Sequence, residues 1–208
     1  MIRIALDDCQ QGKQFDYPWT HWVIDNFLPK EIYDQLVNIK DSDDYELVDM
    51  SDGRRTTKIN PIANKEHIRL RKNNKVICQE LKSITLDWIS KLLINEKKLE
   101  WKDDYRFVFD LVKCEPKYCY QKHVDHKDKI LSIVVYLHPE EGNGTILLDE
   151  INQQYDVVWK PNRALLFMTN SHAFHYYKNK THENRYSLNV YVVEGPWEFE
   201  VTNKGPNK

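Results

Sequence analysis

No run of apolar residues in this sequence is long enough to cross a bilayer. The longest nearly apolar stretch, residues 130–137, falls far short of the roughly 20 residues that a spanning helix needs. The first twenty residues carry acids and lack the apolar segment of a secretory leader, so a soluble, cytoplasmic protein with no membrane partner is expected. Charge of one sign is also missing. With 30 basic and 32 acidic residues interspersed and a formal net charge of −2, there is no basic field to hold a phosphate backbone, and a nucleic-acid partner is not expected. Cysteine is scarce: the four residues Cys9, Cys78, Cys114 and Cys119 sit in a chain too large to need disulfide staples, so they are read as reduced thiols. No internal repeat or low-complexity tract breaks the sequence into an array.

What is present is a chain of 208 residues with 12% aromatics, enough for a substantial core. It reads as one domain, residues 1–208, in which an N-terminal extension of strand and helix (1–100) packs on a β core (105–194). Residues 21–27 alternate like a strand. Pro29 then opens a stretch in which Ile32, Leu36 and Ile39 keep helical spacing. Between residues 74 and 94, Ile77, Leu81, Ile84, Trp88 and Leu92 form a helical stripe that predicts the longest helix. From Tyr105 onward the period changes to two. Eight strands are predicted, over 105–113, 118–124, 130–137, 145–148, 155–159, 163–168, 172–177 and 185–193, separated by turn residues such as Gly142-Asn143-Gly144 and Pro161-Asn162. Eight short strands at this spacing suggest a double-sheet jelly roll of the cupin-like kind, in a mainly β, α+β chain with flanking helices.

One cluster of residue types carries chemistry. His123 and Asp125 are two apart, which on a strand puts an imidazole and a carboxylate on one face, and His175 offers a second imidazole. Two His and one carboxylate leave half of a metal's coordination sphere open, the arrangement of non-haem Fe(II) oxygenases. A His-x-Asp pair alone is a weak motif, since such a pair more often lies on a solvated face. His126 and His172 compete for the imidazole roles, but each has the opposite strand parity from the residue it would replace. A zinc cluster of Cys114, Cys119, His123 and His126 is the other metal reading; its spacing fits no common finger, and it leaves Asp125, His175 and Arg185 without a role. Neutral imidazole ligands predict a metal affinity that weakens as pH falls through the histidine range.

The order of the pieces IDNFLPKE (24–31), YCYQKHVDH (118–126), LSIVVYL (131–137), GNGTILL (142–148), VVWKPNRALLF (157–167), FH (174–175) and RYSLNVY (185–191) resembles the 2-oxoglutarate and Fe(II)-dependent dioxygenases, in their prolyl 4-hydroxylase-like branch. The resemblance implies a double-stranded β-helix with Fe(II) held by His123, Asp125 and His175. It implies 2-oxoglutarate and O2 as cosubstrates, with ascorbate as a further candidate. It implies that Arg185 binds the distal carboxylate of 2-oxoglutarate, for which a guanidinium has the matching fork. Ser187 and Asn189 share the strand face of Arg185, and Tyr136, on a face with Ser132 and Val134, is a second candidate contact. The implied reaction is hydroxylation of an unactivated C–H bond, with release of succinate and CO2, on a prolyl, other peptidyl, amino-acid-like or small-molecule substrate. Halogenating relatives lack the carboxylate ligand that Asp125 supplies here. The chain departs from the family pattern at Cys114-Glu115-Pro116-Lys117, where many relatives carry a Tyr and a Gly. Residues 49–60, with Gly53, Arg54 and Arg55, are expected to form a lid. The competing readings are a metal-binding jelly roll without turnover and a cupin-like metalloenzyme that does not use 2-oxoglutarate.

Overall fold

The computed structural model describes residues 2–4, 9, 11–39, 65–69 and 75–195. The expected lid over 49–60 lies outside these residues. In chain order the elements are β1 (Ile2–Ile4), β2 (Lys13–Phe15), β3 (His21–Ile24), α1 (Lys30–Ile39), β4 (Lys65–Arg69) and α2 (Lys75–Ile89), which runs on into a π turn at Ser90–Ile94. Then follow β5 (Tyr105–Cys114), β6 (Cys119–His123), β7 (Lys129–His138), β8 (Ile146–Leu148), β9 (Gln154–Val157), β10 (Ala164–Met168), β11 (His175–Lys178) and β12 (Arg185–Glu194). Among the described residues no helix is long and apolar enough to cross a membrane, and none of the four cysteines is in a disulfide.

The eight strands from β5 onward are divided four and four between two sheets. One has the order β1-β9-β8-β11-β6 and the other β2-β3-β10-β7-β12-β5-β4, the double-stranded β-helix expected of a jelly roll. The extension is more than a layer packed on this core. Its β4 pairs with β5, β3 pairs with β10, and β1 pairs in parallel with β9, so the extension lengthens both sheets.

Period-two alternation explains why the long strands are apolar on both faces. In β12, Leu188, Val190 and Val192 join Leu131, Ile133 and Val135 of β7 beneath the helices, where Ile32 and Leu36 of α1 and Ile77 and Leu81 of α2 cover them. The intervening residues point the other way, into the space between the sheets. There Tyr136, Leu165 and Phe167 meet Leu147, Tyr155 and Val157 of the opposing sheet. Polar inward positions of β7 and β12 such as Ser132, Arg185 and Ser187 are therefore buried, and Asn189 is half-buried.

One buried ion pair ties the extension to the core. Asp25, in the turn directly after β3, accepts from Arg163 Nε at 2.6 Å and Nη2 at 3.0 Å, and from Lys160 Nζ at 2.8 Å. Both Asp25 and Arg163 are almost fully buried. Burial acts to raise the Asp25 carboxyl, but the hydrogen bonds and charges of Arg163 and Lys160 prevail and hold it below the usual carboxylate range. Removing one partner strands a buried charge, so Asp25→Ala is expected to lower the unfolding free energy by about 3 to 5 kcal/mol. Urea denaturation checks this; a loss under about 1 kcal/mol would mean that the guanidinium finds water instead.

Candidate metal centre and cosubstrate pocket

Register brings the two histidines together. β11 runs antiparallel to β6 with His175 opposite His123, and their ring centroids are 4.3 Å apart. In each, Nδ1 lies 2.9 Å from the carbonyl oxygen two residues earlier, Gln121 for His123 and Ala173 for His175. A carbonyl can only accept, so Nδ1 carries the proton in both, and both Nε2 lone pairs are left for a cation. Burial, reinforced by the neighbouring His175, holds His123 down to about 3, so it is neutral in neutral solution.

The carboxylate arrives by a different route from the one strand parity suggests. β6 ends at His123, so Asp125 sits past the strand, and its direction is set by β7 instead. Lys129 Nζ donates to Oδ1 at 2.7 Å and Ser132 Oγ donates to Oδ2 at 2.6 Å. Burial works to raise the Asp125 carboxyl, but Lys129, His175 and these hydrogen bonds outweigh it and keep the group ionised well below the usual range. One donor atom from each of His123, Asp125 and His175 lies within 4.8 Å of the others, and among the described residues this is the one such cluster.

The competing residues lie elsewhere. His172 is exposed in the turn before β11, not within the strand, and its Nδ1 is 3.9 Å from Glu150. His126 is exposed beside Asp128 at 3.3 Å. Cys114 is buried and Cys119 is exposed, and neither belongs to the cluster.

Arg185 begins β12 and is 2% exposed. Its Nε donates to the Asn143 carbonyl and its Nη1 to Ser187 Oγ, each at 3.3 Å. From Ser187 the polar face continues up the strand, with Ser187 Oγ donating to Asn189 Oδ1 at 3.2 Å and Asn189 Nδ2 to Tyr191 Oη at 3.0 Å. Nη2 is buried with no hydrogen-bond acceptor, and among the described residues no carboxylate pairs with the guanidinium. The structural salt bridge that would give this Arg an ordinary role is therefore missing from the described residues. An unpaired buried cation is costly, and a bound carboxylate removes the cost. Tyr136 is fully buried, and its Oη donates to Thr145 Oγ1 at 3.1 Å and accepts from the Thr145 amide at 2.8 Å. Thr145 can come this close because Gly144 has no side chain: a Cβ there would lie 1.6 Å from the Val157 carbonyl oxygen.

Three contacts of the site are not among those expected from the sequence. A bulge between β6 and β11 sets Tyr177 opposite Tyr120 and not Gln121, which turns Tyr120 inward with its ring centroid 4.3 Å from His123. Lys129 and Ser132 were likewise not singled out as partners of Asp125. The inward parity of Ser132 was the only signal that could have found one of them.

The sequence model of the 2OG-Fe(II) oxygenase superfamily matches residues 109–193, a span that includes all four of His123, Asp125, His175 and Arg185. No curated protein sequence matches the chain. Among solved structures, it is similar to a viral collagen prolyl hydroxylase from Paramecium Bursaria Chlorella virus-1, with 16% identity, a TM-score of 0.58, and coverage of 85% of this chain and 96% of that one. It is also similar to a prolyl hydroxylase from Trichoplax adhaerens, solved with a hypoxia inducible factor peptide fragment, at 16% identity and a TM-score of 0.64 over 84% of this chain and 83% of that one. A prolyl-4-hydroxylase from Pseudomonas putida aligns at 17% identity and a TM-score of 0.57, covering 84% and 92%. At such identities the likeness is one of fold.

Proposed function

We propose that this chain is a 2-oxoglutarate and Fe(II)-dependent oxygenase of prolyl 4-hydroxylase-like fold, and that it hydroxylates a C–H bond of a peptidyl substrate, with His123, Asp125 and His175 holding the metal and Arg185 the cosubstrate. The observation that carries this reading is Arg185, a buried guanidinium with an orphaned Nη2 between the same two sheets as the His and Asp cluster. Two imidazoles with Nε2 available and one ionised carboxylate form a donor set that suits Fe(II).

When bound, iron with 2-oxoglutarate and dioxygen supplies the oxidation: the cosubstrate leaves as succinate and CO2, one oxygen atom going to succinate and the other turning a substrate C–H into C–OH. The protein's own contribution is positional. The carbonyls of Gln121 and Ala173 fix the tautomer and tilt of the two imidazoles. Lys129 and Ser132 fix the carboxylate from β7. Arg185, steadied by Ser187 and Asn143, fixes the far end of a dicarboxylate, and Tyr136 lines the same pocket. A peptidyl substrate, prolyl in the first instance, is favoured because the similar Trichoplax protein was solved with a peptide fragment.

Incubating the iron-loaded protein with 2-oxoglutarate and peptide libraries tests this, reading succinate formation and a mass gain of about 16 Da, one oxygen atom. Succinate together with hydroxylated peptide is the expected result. Succinate with hydroxylation only of small metabolites would move the substrate class, and metal binding with no succinate under any condition would leave a jelly roll that binds without turnover.

A further inference from the structure

Tyr177 lies two residues beyond His175 in the five-stranded sheet, yet its side chain ends on the opposite sheet. Its hydroxyl is hydrogen-bonded to the Cys114 thiol, and its ring centroid is 4.3 Å from the Arg185 guanidinium carbon. Those two landing points are cross-strand neighbours, because Cys114 at the end of β5 is in register with Arg185 at the start of β12. Paired residues in an antiparallel ladder present side chains on the same face, so Cys114 and Arg185 meet Tyr177 side by side. All three are buried.

The surroundings fix each member. Asn179 donates from Nδ2 to the carbonyls of Cys114, Glu115 and Glu183 at 3.2, 3.0 and 2.8 Å, which pins the turn after Cys114 to the segment that leads into Arg185. Trp159 and Tyr136, stacked on each other at 4.7 Å, have their ring centroids 5.2 and 5.5 Å from the guanidinium carbon. Three rings this close to a planar cation restrict its movement, and its Nη2 is left without an acceptor.

We propose that Tyr177 and Cys114 are positioning residues for cosubstrate binding: the thiol–phenol link spans the two sheets and holds the Tyr177 ring against Arg185, so that the guanidinium is aimed before the dicarboxylate arrives. This rests on the reading of Arg185 as the cosubstrate anchor. It gives the turn at Cys114, the place where the chain departs from the family pattern, a part in the pocket through a residue of another strand. The cysteine is a hydrogen-bond partner here, with no redox step.

The test is calorimetric titration of 2-oxoglutarate into the Mn(II)-loaded protein, beside a Mn(II) titration of the metal-free protein. Tyr177→Leu is expected to weaken 2-oxoglutarate binding on the order of ten-fold, the scale of a desolvated cation–π contact. Cys114→Ala and Tyr177→Phe each break the same link, so each should weaken binding several-fold, and the double variant should be no worse than either alone. Mn(II) affinity should be unchanged throughout, which a general loosening of the fold would not give. Additive effects of Cys114→Ala and Tyr177→Phe, or full cosubstrate affinity in Tyr177→Phe and Cys114→Ala, would overturn the proposal while Arg185→Ala still fails to bind 2-oxoglutarate. If Arg185→Ala itself binds normally, the anchor reading falls and this proposal with it. Should Tyr177→Leu fail to fold, the Cys114→Ala and Tyr177→Phe cycle decides alone.

Discussion

Arg185→Ala is expected to lose 2-oxoglutarate affinity by thirty- to several-thousand-fold while keeping its metal. The range corresponds to about 2 to 5 kcal/mol, the cost of removing one partner from a buried, hydrogen-bonded charge pair. The guanidinium is a strong case for the upper part of that range. It is 2% exposed, so the medium around it screens little, and Nη2 has no protein acceptor to fall back on. Because the substitution also empties a volume walled by Tyr136, Trp159 and Tyr177, Arg185→Met serves as a control that restores much of the bulk without the charge. Both variants should show the same loss in a 2-oxoglutarate titration of the Mn(II)-loaded protein. An unchanged titration in either would mean that the distal carboxylate goes elsewhere.

His123→Ala should abolish metal binding and succinate formation in a protein that still folds. Losing a direct ligand should exceed the roughly ten- to hundred-fold that loss of a supporting partner costs, so Mn(II) binding ought to fall by more than about 100-fold. The fold should tolerate the change because the histidine ends an edge strand, and its removal takes away a desolvated polar ring without orphaning a buried charge. Native-like thermal unfolding with no detectable Mn(II) uptake is the expected pair of observations; full metal affinity would dismiss the assigned donor set.

The acid behaviour of this site differs from what an ordinary histidine predicts. In the metal-free protein His123 is held down to about 3, so protons begin to compete for its Nε2 only as pH approaches that value, and not through the usual imidazole range near 6.5. Stability moves the opposite way. Below about 6.5 the unfolded chain takes a proton that the folded His123 refuses, so this residue's contribution is intact above that pH and is lost progressively as pH falls toward 3.

The architecture was readable because its cause is local and periodic. A change from helical spacing to alternation at Tyr105 located the eight core strands, and each was found within a few residues of its predicted bounds. The stripe of Ile77, Leu81, Ile84, Trp88 and Leu92 does face the core, with the last of these carried on the π turn. Alternation along β12 likewise placed Ser187 and Asn189 beside Arg185, where hydrogen bonds now join them. Where alternation broke, so did the reading: the start of β11 moved from 172 to His175, leaving His172 in a turn.

What the sequence determined by itself is therefore the eight strands of the core, the side of each that faces inward, and the residue types at those inward positions, because period two is a property of a single strand. What only the tertiary structure decided is which inward residues meet. The register of β11 on β6 set His175 against His123, a bulge turned Tyr120 toward them, and β7 supplied Lys129 and Ser132 to a carboxylate that had already left its strand. Asp25 found Arg163, and Tyr177 found Cys114, across sequence separations that no local pattern spans. Register and sheet-to-sheet packing are settled by the burial of whole faces at once, and that information belongs to no single segment of the chain.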